Sequence, residues 1–236
     1  MPLYGETMMK TLISRNLLIL FILTMFCLNP ANAQSRDIRI LVLGDSMMAW
    51  NHGTGNSVAD AIEATLGAKV VDRSLSGARY FYGLPISGSL GLRLTKQYRT
   101  GNWDWVVMNG GGNDLLFGCG CSKCDRMLDR LVSKDGRQGA IPEFVEQIRK
   151  SGAQVLYVGY LRNPGIPSPI RACRPAGNEL DRRLAKMAQT RTGVSFVPMA
   201  DLVPTGDRSF HHGDMIHPSI KGSGHIAARI VTRIKS

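Results

Sequence analysis

The chain has 236 residues, with 29 Lys and Arg against 18 Asp and Glu, a formal net charge of +11. Its length fits one domain able to bury a sizeable core. The basic residues are scattered, with no stripe interleaved with aromatics, so no specific nucleic-acid partner is expected.

Taken from the N-terminus, Lys10 and Arg15 precede an apolar run, Leu17 to Leu28, broken only by Thr24. Twelve residues are short for a bilayer span. Asn29-Pro30 ends the run, and Ala31 and Ala33 are the small residues a signal peptidase accepts. Residues 1–33 are therefore expected to be a cleaved signal peptide, the alternative being an uncleaved anchor. The expected mature domain is residues 34–236, periplasmic or secreted after cleavage following Ala33. Lys10, Arg15 and Glu6 leave with the segment, so that domain carries +10. Such a surface favours peripheral contact with an anionic envelope surface, or is simply a Lys/Arg-rich exterior. Nothing in the sequence sets the oligomeric state.

Ile38–Leu43 reads as a buried strand, and Ser57–Leu66 as a helix with Ala59, Ile62 and Leu66 on one face. A short strand at Lys69–Arg73, a helix over Leu90–Tyr98 and a strand at Trp103–Met108 follow. Gly118–Arg126 is polar and cysteine-rich, a loop by composition. Ile141–Lys150 has helical spacing at Ile141, Phe144, Val145 and Ile148. Gln154–Tyr160 reads as a strand, Asn163–Pro175 as a proline-rich surface loop, and Glu179–Gln189 as a helix. A strand at Val194–Val197 and a helix at Lys221–Ile234 close the chain. Strands apolar on both faces, alternating with amphipathic helices, predict an α/β fold with a parallel sheet covered on both sides. Ligands bind such sheets at the carboxyl ends of the strands.

Four cysteines follow the leader: Cys119, Cys121, Cys124 and Cys173. An even count in an exported chain points to two disulfides, with a four-thiolate zinc site as the rival. A bond between Cys119 and Cys121 is the least attractive pairing, because so tight a ring is strained. Either other pairing ties the loop near Cys121 to the loop near Cys173.

Gly44-Asp45-Ser46 follows the first strand directly, where a turn leaves backbone N–H groups free for an oxyanion. Asp214-Met215-Ile216-His217 offers a general base with a carboxylate three residues away, close enough to hold the ring tautomer. Asn109-Gly110-Gly111-Gly112-Asn113-Asp114 follows a third strand, its glycines permitting close backbone approach and Asn113 offering an amide donor. Ser74-Leu75-Ser76-Gly77-Ala78 follows the second. Each is weak alone: a turn, a helix cap or a surface histidine explains it as well. His211 and His212 beside Asp214 lack further ligands at a recognisable spacing, so no metal is expected. His225 reads as a helix-surface residue. Met47, Met48 and Trp50 suit either an acyl pocket or the core.

Together, Gly44-Asp45-Ser46, Gly77, Gly111-Gly112-Asn113-Asp114 and Asp214-x-x-His217 occur in the order found in the SGNH (GDSL) hydrolase family, which the chain resembles over most of its mature length. The resemblance implies a three-layer, flavodoxin-like fold. It implies Ser46 as nucleophile, His217 as base and Asp214 as its orienting partner. The oxyanion hole would be the Ser46 and Gly77 N–H groups and the Asn113 side chain. No cofactor is implied. The expected activity is hydrolysis of carboxylic esters, lipolytic or small, through an acyl-enzyme. Alternatives are an envelope polysaccharide deacetylase, an O-acyltransferase, or a catalytically silent binding protein on the same fold. The expected partner is a small-molecule, lipid or acylated-glycan ester. The cysteine-rich insertion departs from the minimal family pattern and sits near the expected pocket mouth.

Overall fold

Five short strands form one parallel sheet: β1 (Arg39–Leu43), β2 (Lys69–Asp72), β3 (Trp105–Met108), β4 (Gln154–Val158) and β5 (Val194–Val197). They are seen in a computed structural model that describes residues 38–236; the expected signal segment, residues 1–33, lies outside the described residues. The strand order is β2-β1-β3-β4-β5. Leu41 stands beside Val71 on one side and Val106 on the other.

Parallel neighbours need long crossovers, and helices supply all but the one from β2 to β3, which runs through short turns. The helices are α1 (Ser46–Ala49), α2 (Val58–Leu66), α3 (Gly112–Cys119), α4 (Asp125–Leu131), α5 (Ala140–Arg149), α6 (Arg174–Gln189) and, after the last strand, α7 (Ile220–Lys235). Strand side chains alternate between faces. Ile40 and Val42 join Ile62 of α2 and Ile226 and Ile230 of α7 in one core. Leu41 and Leu43 join Ile141, Val145 and Ile148 of α5 and Leu180 and Leu184 of α6 in the other. The outcome is the expected α/β/α arrangement. Ser57 starts α2 with a capping box, its hydroxyl accepting from Asp60 N–H while the Asp60 carboxylate accepts from Ser57 N–H.

Three expected segments differ. Helix α6 begins at Arg174, inside the stretch expected to be loop, because Pro175 sits in its first turn, where a missing N–H breaks no helical bond. The segment Leu90–Tyr98 is not a helix: Gly91 turns to φ 118° and Arg93 is extended, leaving one tight turn at Leu94–Lys96. Helices α3 and α4 enter the cysteine-rich loop from both sides. The disulfides are Cys119–Cys124 and Cys121–Cys173, the latter tying the end of α3 to the start of α6.

Candidate active site

The strand order reverses between β1 and β3, and the crevice at their carboxyl ends holds the site. Ser46 is the first residue of α1, directly beyond β1. Asp45 caps that helix: its carboxylate accepts from Met47 N–H at 3.0 Å and from the Asn109 amide at 2.8 Å. Asn109 in turn accepts from Asp45 N–H at 3.0 Å. Gly44 must lack a side chain, because a Cβ there would run into the Asn109 amide oxygen.

His217 arrives from the loop before α7. Its Nε2 stands 2.9 Å from Ser46 Oγ and its Nδ1 2.7 Å from Asp214 Oδ2. The other Asp214 oxygen accepts from the Ile216 and His217 N–H groups, at 2.9 and 3.0 Å. Burial raises the Asp214 pKa, but the His217 ring and these two N–H groups outweigh it and bring the carboxyl down to about 2. Asp214 is therefore an anion throughout the neutral range. The imidazole stacks on Trp50, centroids 3.7 Å apart and planes 4° from parallel. This contact leaves the ring little freedom to turn away from Ser46.

The remaining predicted residues meet at the same cavity, about 470 Å³, whose wall includes Ser46, Gly77, Asn113 and His217. Neither the Ser46 nor the Gly77 N–H has an acceptor among the described residues. Gly77 holds φ at 82°, a left-handed conformation that favours glycine. Asn113, in the first turn of α3, donates one amide hydrogen to Ala78 O at 3.0 Å, leaving the other. Next to it, Asp114 accepts from the Tyr80 and Phe81 N–H groups at 3.0 and 2.9 Å. One turn of α3 thus clamps the loop that carries Gly77. Burial pushes the Asp114 carboxyl up to about 6 against those two hydrogen bonds.

Two contributors escape a reading of motifs. Tyr160, just past β4, donates its hydroxyl to Asp45 Oδ2 and accepts from Gly112 N–H at 2.9 Å. Gly112 fits only as glycine, since a Cβ would approach the Tyr160 ring to 2.6 Å. Gln97 stitches Gly44 to Gly91, its amide donating to both carbonyls and accepting from Gly44 N–H. The position of Tyr160 at the sheet's carboxyl edge was the only signal available for it. Met48 is entirely buried in the core, whereas Met47 and Trp50 reach the cavity. His211 is buried with both ring nitrogens unpartnered among the described residues, and His225 is exposed beside Phe210. No cluster of metal-ligating residues occurs among the described residues.

A parallel sheet in this order, with this site at its switch point, is the architecture of the SGNH hydrolases. The model of the GDSL-like Lipase/Acylhydrolase family matches residues 42–224, well over half of the sequence, and the chain belongs to that family: it is a hydrolase acting on ester bonds. Solved structures share the fold at low identity. A candidate SGNH hydrolase from Slackia heliotrinireducens is 20% identical, with a TM-score of 0.60 over 84% of this chain and 100% of that one. A candidate acylhydrolase from Bacteroides fragilis is 20% identical, with a TM-score of 0.61 over 85% and 88%. A family two carbohydrate esterase from Clostridium thermocellum, in complex with cellohexaose, is 19% identical, with a TM-score of 0.53 over 84% and 63%. No curated protein sequence matches the chain.

Proposed function

We propose that the protein is a serine esterase of lipolytic type that works through Ser46, His217 and Asp214. The carrying observation is the unbroken chain from Ser46 Oγ to His217 Nε2 at 2.9 Å and from His217 Nδ1 to Asp214 at 2.7 Å. His217 takes the Ser46 proton as Oγ bonds to the ester carbonyl carbon, and the oxygen that gains charge is held by the Ser46 and Gly77 N–H groups and the Asn113 amide. The tetrahedral adduct collapses, the alcohol leaves with the proton from His217, and Ser46 remains acylated. Water, deprotonated by His217, attacks the acyl-enzyme and regenerates Ser46. Asp214, anionic over the whole working range, holds the Nδ1–H tautomer and stabilises the imidazolium.

An apolar acyl group suits the cavity, whose wall includes Met47, Trp50, Leu115, Leu116, Phe117 and Ile170. Residues 1–33 are proposed to direct export and to be removed after Ala33, a route in keeping with two disulfides. No helix among the described residues is long and apolar enough to cross a membrane.

The test is turnover of p-nitrophenyl esters of rising acyl length, with fluorophosphonate labelling. Ser46→Ala is expected to abolish both, and retained turnover would refute the assignment. A folded parent protein that neither labels nor turns over any ester would mean a silent binding protein.

A further inference from the structure

Large apolar side chains stand in solvent in the segment between β2 and β3. Leu84, Ile86 and Leu90, around the helical turn Pro85–Ser87, are 65%, 79% and 74% exposed. Leu75 packs beside Gly91 at the base of this tip. The Arg79 guanidinium lies 5.1 Å from the Tyr82 ring and 5.3 Å from the Phe117 ring. Phe117 is itself 63% exposed and forms part of the cavity wall. Arg79 thus links Phe117 of the cavity wall to Tyr82, two residues before the tip.

Along the chain the charge flanking the tip has one sign, with Asp114 of α3 as the acidic group facing Arg79. Between Asp72 and Asp104 the chain holds Arg73, Arg79, Arg93, Lys96 and Arg99 and no acidic residue. Arg79 and Arg93 are brought side by side by a backbone bridge, and Arg93 donates to Tyr82 O at 3.2 Å. Three large apolar side chains so exposed within one short segment call for a partner. A second copy of the chain would set this cationic collar against its own like. An anionic lipid surface satisfies both features, taking the leucines and isoleucine among its acyl chains and the guanidinium groups at its phosphates.

We propose that the tip Leu84–Leu90, with its arginine collar, docks the protein on an anionic lipid surface, with Phe117 and the cavity mouth facing that surface. Docking is separate from the proposed triad and requires none of its residues.

The experiment is flotation with vesicles, using the chain from Gln34 onward, which holds the whole described fold. Binding is expected to vesicles of equimolar phosphatidylglycerol and phosphatidylcholine, to weaken as salt rises, and to be far poorer on phosphatidylcholine alone. Ile86→Ser and Leu90→Ser are each expected to weaken it roughly tenfold, with hydrolysis of soluble p-nitrophenyl acetate unchanged. Ser46→Ala is expected to float as the parent does, which separates this proposal from the catalytic one. Absence of flotation, equal binding to both vesicle types, or full binding by the Ile86→Ser, Leu90→Ser double variant would overturn it. So would a dimer in sedimentation that the double variant dissolves, since the tip would then belong to a second copy.

Discussion

Removing a single oxygen, in Tyr160→Phe, tests how far the candidate nucleophile depends on buried support behind it. The Tyr160 hydroxyl is the donor to Asp45 Oδ2, while the other carboxylate oxygen keeps Met47 N–H and the Asn109 amide. It is also the acceptor for Gly112 N–H, one residue before Asn113. Burial already raises the Asp45 pKa, and the Tyr160, Asn109 and Met47 hydrogen bonds hold the rise in check. Loss of a buried hydrogen bond to a charged group costs about 1.5–3 kcal/mol, and loss of the one to Gly112 about 1 kcal/mol, for a total of about 3 kcal/mol. Urea unfolding at neutral pH measures that loss, and turnover of a soluble ester measures its effect on Ser46. The pH dependence has a definite sign. A carboxyl whose folded pKa lies above its unfolded value binds its proton first in the native state, so its penalty at neutral pH is relieved as pH falls through the folded pKa. Tyr160→Phe raises that pKa further, so its stability deficit is expected to shrink on acidification. A deficit under about 0.5 kcal/mol, or one that grows as pH falls, would refute this account of the Asp45 network.

Asn113→Ala removes one of the three proposed oxyanion donors and is expected to lower kcat by about 10²–10³ with the circular dichroism spectrum unchanged. Normal turnover would exclude the side chain from that role. The two disulfides close loops of unequal length, 5 residues for Cys119–Cys124 and 52 for Cys121–Cys173. Loop-closure entropy gives about 2 kcal/mol for the first and about 4 kcal/mol for the second. Thermal unfolding of the Cys119→Ala, Cys124→Ala and Cys121→Ala, Cys173→Ala pairs is expected to rank them in that order. Because Cys173 belongs to the cavity wall, the second pair is also expected to raise KM for long-chain esters more than for acetate.

Most of the frame was legible in the residues. Apolar runs such as Ile38–Leu43 and Trp103–Met108 predicted strands because a strand buried on both faces has no polar side. The spacing of Ile141, Phe144, Val145 and Ile148 predicted α5 because 3.6 residues per turn bring them to one stripe. Segments where local preference and tertiary packing compete were not legible. Leu90–Tyr98 has helix-forming residues, yet Gly91 and the buried Gln97 amide, bonded to Gly44 and Gly91, break it into turns.

At the site, the sequence by itself determined which residue types stand after which strand: Ser46 after β1, Gly77 after β2, Asn113 after β3, and the Asp214–His217 pair before the last helix. Strand pairing brings the first three to one edge, a consequence of parallel order that alternation alone foretold. Only the tertiary structure decided the distances and the partners. His217 and Ser46 are 171 residues apart and meet at 2.9 Å, and nothing local dictates that approach. Trp50 on the imidazole, Tyr160 beneath Asp45 and the choice of Cys121 for Cys173 likewise depend on side chains converging from different crossovers. Sequence periodicity records which face of an element is buried; it does not record which element is opposite.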